Sequence, residues 1–219
     1  TAGNVSAAST ATTVTIDTVE PTATVELDAT ALKVGETATL TVTFSEIPTG
    51  FVEADDLTVA NGSLSGGSLD GLIYTATFTP SDDLEDTSNV VTLGTGWSDA
   101  AGNAPEAESS SANYAIDTVE PTATVVLDAS ALKVGETATL TVTFSEIPTN
   151  FDAATDLTVA NGSLSGGSFD TTGLIYTATF TPTDYLEETS NVDTLATGWS
   201  DPAGNAPEAE SSSANYAID

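Results

Sequence analysis

The chain has 219 residues, with 33 Asp plus Glu against two lysines, no Arg and no His, for a formal net charge of -31. Such a surface repels phosphate, which argues against nucleic acid and anionic membrane as partners. Hydrophobic residues make up 39%, enough to bury a core, while the absence of Cys removes disulfides as a staple.

Taken in chain order, residues 1–16 (TAGNVSAASTATTVTI) read like a diverged form of DAAGNAPEAESSSANYAI further on. They are expected to be the terminal loop and last strand of a preceding repeat. That strand, over 5–16, would pair with an edge elsewhere, giving a route to self-association on a neighbouring molecule. From Thr22 the apolar period is two. Ala38, Leu40, Val42 and Phe44 alternate with Thr39, Thr41, Thr43 and Ser45, and Tyr74, Ala76 and Phe78 alternate with Thr75, Thr77 and Thr79. The pattern predicts seven strands: A near 22–27, B 37–45, C 56–60, D 63–69, E 72–79, F 90–98 and G 109–116. Asn61-Gly62 signals a type I′ turn, in preference to a glycosylation sequon, and Gly66-Gly67 signals another turn. No long run has a 3.6 period, so no substantial helix is expected, and no apolar stretch is long enough to insert into a membrane. Trp97 and Trp199 fall on strand F and are expected in the core.

The whole set then repeats. Residues 31–49 recur unchanged at 131–149, 56–68 at 156–168, and 101–117 at 203–219, with Thr171-Thr172 inserted in the second copy. A unit of about 100 residues is a domain rather than a solenoid repeat. The expected boundaries are 17–117 for the first repeat and 118–219 for the second. Starting and stopping within a repeat, the sequence reads as an excerpt of a longer array. The fold class is all-β: two tandem seven-stranded immunoglobulin-like β-sandwiches.

The segments DTVEPTATVELD, LKVGETATLTVTFSE, DLTVANGSLS, YTATFTP, DAAGNAPE and NYAID, in that order, resemble the Ig-like repeats of large bacterial surface adhesins of the repeats-in-toxin (RTX) type, including biofilm adhesins. The resemblance covers the whole chain. It implies an extender region that holds an adhesive tip away from the cell, an extracellular location on the bacterial surface, and calcium between domains.

The acids bear on calcium independently. In a seven-strand sandwich one set of loops gathers where the chain enters and the other where it leaves. The entry end collects Glu46, Asp56, Asp99 and Asn103, and the exit end Asp82 and Glu85. Asp17 and Glu20 precede the first repeat, and Asp117 and Glu120 link it to the second, whose entry end carries Glu146, Asp156, Asp201 and Asn205. These fourteen residues are the candidate metal ligands. Ca2+ takes six to eight oxygens in flexible geometry, which suits loop carboxylates, whereas zinc would call for His or Cys. Pro121 stiffens the linker. The competing reading of Asp99 to Asn103 is an Asx-type turn with glycine at positive φ.

Three functions compete. A calcium-stiffened spacer, whose partners are the neighbouring repeats of the same chain, fits the near-identical copies. A glycan- or protein-binding adhesin module needs exposed aromatics, for which Tyr185 is a lone candidate. A filament subunit would use the 5–16 strand. No catalytic constellation is present in a chain lacking His, Cys and Arg, so no enzyme is expected.

Overall fold

The computed structural model describes Gly3 and residues 14–219. The strand expected over 5–16 falls mostly outside them. Residues 14–16 form no strand, and Val14 and Ile16 are exposed.

Each repeat buries the period-two faces read from its sequence. In the first, β1 (Ala23–Leu27), β3 (Ala38–Phe44), β6 (Ile73–Pro80) and β5 (Gly62–Asp70) form a four-stranded sheet in the order β1-β3-β6-β5. Along β3 and β6 the apolar side chains turn inward and the threonines outward, so Leu40, Val42 and Phe78 lose essentially all contact with water. Each such side chain contributes about 1.5–3 kcal/mol of transfer free energy.

The facing layer is built from short strands. β2 (Ala31–Lys33), β10 (Tyr114–Asp117) and β7 (Glu85–Asn89) pair in that order, and β4 (Leu57–Val59), β8 (Val91–Leu93) and β9 (Ser109–Ser110) pair beside them. Tyr114, Ile116, Val91 and Leu93 close the core from this side. A single helical turn, α1 (Glu53–Asp56), leads into β4.

The second repeat copies the arrangement. Its large sheet is β11 (Ala123–Leu127), β13 (Ala138–Phe144), β16 (Ile175–Pro182) and β15 (Gly162–Phe169). Its short strands are β12 (Ala131–Leu132), β14 (Leu157–Thr158), β17 (Glu188–Asn191), β18 (Thr194–Leu195), β19 (Ser211–Ser212) and β20 (Tyr216–Ile218), and α2 (Ala153–Asp156) is its helical turn.

Four local expectations change. Ala31–Lys33, expected in the loop after the first strand, is a strand, β2, that lies in the other layer and runs parallel to β10, pairing Ala31, Leu32 and Lys33 with Ala115, Ile116 and Asp117. The polar run Glu85–Asn89, expected as loop, is a separate, mostly exposed strand, β7, on the edge of the β2-β10-β7 sheet, and it shows no apolar alternation. Trp97 lies beyond the end of β8, in a loop, but is buried and meets the Phe44 ring edge-on at 4.8 Å. The two glycine signals act differently from the turns expected of them. Asn61 alone carries the positive φ, at 53°, so the Asn61-Gly62 turn is not type I′. Gly66, at φ 66°, sits within β5 where the register shifts, so Gly66-Gly67 is a bulge rather than a chain reversal.

Gly62 is required for space instead. A Cβ there would meet the Phe78 ring and lie 2.6 Å from the Thr79 carbonyl oxygen. Gly62→Ala is expected to destabilise the first repeat by about 1–3 kcal/mol through overpacking, read as a lowered urea midpoint. Gly162→Ala, against Phe180 and the Thr181 carbonyl, should do the same in the second repeat.

Candidate metal centre

The loops bring two groups of three carboxylates together. Asp17, Glu46 and Asp99 meet at the entry end of the first repeat. Asp117, Glu146 and Asp201 meet at the seam between the repeats. Within each group one oxygen per residue lies within 4.8 Å of the others.

Asp201 is set by the loop after β18 and is fully buried. Its Oδ1 accepts the Gly204 and Asn205 main-chain N–H groups at 2.6 and 2.8 Å, and its Oδ2 accepts the Asn205 amide at 2.8 Å. Gly204, at φ 93°, permits the sharp turn. Asp99 is held the same way, with Oδ1 accepting from Ala101, Gly102 and Asn103 at 2.8, 2.7 and 2.9 Å. Burial opposes charge on Asp99, but the bonds from Asn103, Gly102 and Ala101 prevail and hold its carboxyl below the usual range. The Asx-type turn is therefore present, and it is what aims the carboxylate: turn and cluster are one structure.

Asp117 arrives from the other side, at the end of β10. Its register places it opposite Lys33 of β2 and Glu85 of β7. Burial pushes its carboxyl up, and the negative charges of Asp201 and Glu85 push it further. Glu146, in the loop after β13, is raised by burial and then by Asp201, Asp117 and Glu85. These are the signs of crowded like charges losing water. Among the described residues the one ion pair is Lys133–Glu136 at 3.3 Å, away from the cluster.

Lys33 forms no ion pair with the cluster; it fastens the repeats. Its Nζ donates to the Gly204 carbonyl at 2.8 Å, and the Val34 N–H donates to Asn205 Oδ1 at 2.8 Å. Asn205 in turn donates from Nδ2 to the Asp117 carbonyl at 3.0 Å. Buried Asn205 thus joins both repeats and orients Asp201 with a single side chain. Its counterpart Asn103 donates to Asp99 Oδ2 at 2.7 Å and to the Asp17 carbonyl at 3.3 Å.

The remaining candidates lie elsewhere. Asp56 and Asp156 fold back on their helical turns, where Oδ2 accepts the main-chain N–H of Val52 and Asp152 at 2.8 Å in each. Neither belongs to a carboxylate group. Glu120 and Asp82 face a separate shallow cleft with Asp83 and Glu208. Glu20 lies in a cleft of the first repeat beside Pro21 and Glu106, the counterpart of one that Glu120 lines with Pro121 and Pro207. Glu85 is outside the three-residue group but within reach of its charge. The sequence reading missed the Lys33–Val34 clasp. Its signal was available: one of only two lysines in the chain lies in the short segment that enters the seam.

The donors fit a hard divalent cation. All are oxygens, three carry charge, and no cationic side chain forms an ion pair with them, which matches Ca2+ better than zinc.

No curated protein matches the chain. The fold is similar to that of the Escherichia coli adhesin FdeC, at 13% identity over 90% of this chain and 64% of that one, with a TM-score of 0.44. An I-band fragment of titin is similar at 14% identity, 92% and 66% coverage and a TM-score of 0.47. The Yersinia pseudotuberculosis adhesin InvE is similar at 12% identity, 90% and 58% coverage and a TM-score of 0.32. The chain spans 64%, 66% and 58% of the lengths of these three structures. The bacterial Ig-like domain family matches residues 17–116 and again residues 117–218, so the chain belongs to that family as two tandem copies.

Proposed function

We propose that the chain is a structural extender of a large bacterial cell-surface adhesin of the RTX type, in which Ca2+ at the seams stiffens tandem Ig-like repeats. The reading rests on the seam: Asp117, Glu146 and Asp201 converge there, between repeats already joined by Lys33, Val34 and Asn205. Without a cation the carboxylates repel one another across the joint, while the hydrogen bonds hold it. A bound divalent cation supplies the missing positive charge and draws carboxylates of both repeats to one point. Asn205 and the turn amides keep Asp201 in place, and the parallel β2–β10 pairing keeps Asp117 in place.

The surface outside the joints favours a spacer over a ligand-binding module. Tyr185 is 97% exposed, but it stacks with no other aromatic ring among the described residues. Membership of the family favours an extracellular, non-enzymatic role.

Chelation is expected to lower the melting temperature and broaden the distribution of interdomain angles in small-angle scattering. An unchanged melt and an unchanged scattering profile would rule the calcium mechanism out. Glu146→Gln should weaken calcium binding about tenfold or more, the equivalent of about 1.4 kcal/mol, measured by calorimetry, yet stabilise the metal-free protein at neutral pH. The opposite signs are diagnostic, because simple damage to the fold would lower both.

The pH dependence follows from the raised carboxyls of Asp117 and Glu146. Below about pH 4 both groups are protonated in the folded and unfolded states and cost nothing. As pH rises through their folded values, the metal-free protein loses stability. Its melting temperature should therefore fall from pH 4 toward neutrality by more in the wild type than in Glu146→Gln. Asn205→Ala should loosen the joint even in saturating calcium, at a cost of about 1–3 kcal/mol for the buried bonds it leaves unmade, read as a broader interdomain angle distribution.

A further inference from the structure

The two repeats differ at one buried position in a way the seam does not explain. Where the first repeat has Val91 in its core, the second has Asp193, with no exposed surface. Its main chain is bonded to Ser213 in both directions, the N–H donating to Ser213 Oγ at 3.0 Å and the carbonyl accepting from the Ser213 N–H at 2.8 Å. Its Oδ1 accepts from the Ala160 N–H at 3.1 Å and meets the Tyr216 hydroxyl at 2.8 Å. Its Oδ2 is buried without a partner.

The hydroxyl of Tyr216 makes the protonation state decidable. In the first repeat, Tyr114 donates to the Ala60 carbonyl at 2.9 Å. In the second, the Tyr216 oxygen lies 2.8 Å from both the Ala160 carbonyl and Asp193 Oδ1. A hydroxyl has one proton and cannot donate to both. An ionised Asp193 therefore leaves either the Ala160 carbonyl without the Tyr216 proton or the carboxylate and hydroxyl oxygens facing each other at 2.8 Å with no proton between them. A protonated Asp193 completes the chain: its own O–H donates to Tyr216, and Tyr216 donates to the Ala160 carbonyl, as Tyr114 does to Ala60.

We propose that Asp193 is a buried proton-binding site that makes the core of the second repeat, unlike that of the first, take up a proton on folding and lose stability as the medium becomes less acid. The groups bonded to the carboxyl are Ala160, from the segment between β14 and β15, and Tyr216, from β20, with Ser213 on its main chain. Tyr216 is the sole titratable group among them, and burial followed by its bond to Asp193 holds its own proton well above the ordinary tyrosine range. Burial likewise pushes Asp193 up, against the opposing bonds from Tyr216 and Ala160.

The sign follows. Below the unfolded value of about 4, Asp193 is protonated in both states and imposes no penalty. As pH rises through its folded value the unfolded state ionises freely while the core resists, so stability of the second repeat falls and then levels off. The first repeat, with Val91, has no such contribution. The site is separate from the seam carboxylates and does not depend on the calcium reading.

The test is amide exchange by mass spectrometry on the intact chain in calcium, from pH 4 to 8, corrected for intrinsic rates and comparing peptides that carry β8 and β18. In the wild type, opening of the second repeat should become more frequent with pH relative to Asp193→Val, in which that slope is lost. Val91→Asp should introduce the slope into the first repeat. Asp193→Asn, which keeps an acceptor for Ala160 without the charge, should also lose the slope and serves if the valine variant misfolds. Identical pH courses for the wild type and both position-193 variants would overturn the proposal.

Discussion

The parallel pairing of β2 with β10 is the constraint from which the joint between the repeats follows. Its register sets Asp117 opposite Lys33, while the other edge of β10 sets Asp117 opposite Glu85. That placement delivers a carboxylate to the end of the first repeat and carries Lys33 and Val34 to the second repeat's loop, where they bond Gly204 and Asn205. Without β2 in this layer, the seam would keep its acids but lose the Lys33 and Val34 bonds that oppose their repulsion. The joint is thus a balance of like charge and hydrogen bonding, and a small change in either shifts it.

The sandwich was largely legible in the sequence, because a strand with one face in the core must alternate. Ala38–Phe44 and Ile73–Pro80 carry that alternation in full. It fails where little of the strand is buried or the pairing is too short for a period to show. Glu85–Asn89 and Ala31–Lys33 are such strands, and both were read as loop. Glycine signals misled for a related reason. Gly62 is needed because Phe78 approaches its α-carbon, a fact about a distant strand and not about the local turn.

The candidate site was legible to the level of which end of the sandwich each loop occupies. That was enough to group Asp117, Glu146 and Asp201, whose loops converge. It was not enough for Asp156, on the same end, because a single helical turn rotates its carboxylate back onto the Asp152 N–H. Nor was it enough for Glu120, which lies beside Pro121 on another face of the linker. Assigning a residue to a loop does not give the direction of its side chain, and here that direction depends on single hydrogen bonds.

The same parallel pairing has a mechanical consequence. The chain enters each repeat ahead of the short second strand and leaves it through the last one, and these two strands run side by side in the same direction. Pulling on the two ends therefore slides them past each other, so their bonds bear load together instead of opening one at a time. Under tension the repeats need not yield in the order of their thermal stabilities, since shear resistance resides in the clamp and thermal stability in the core.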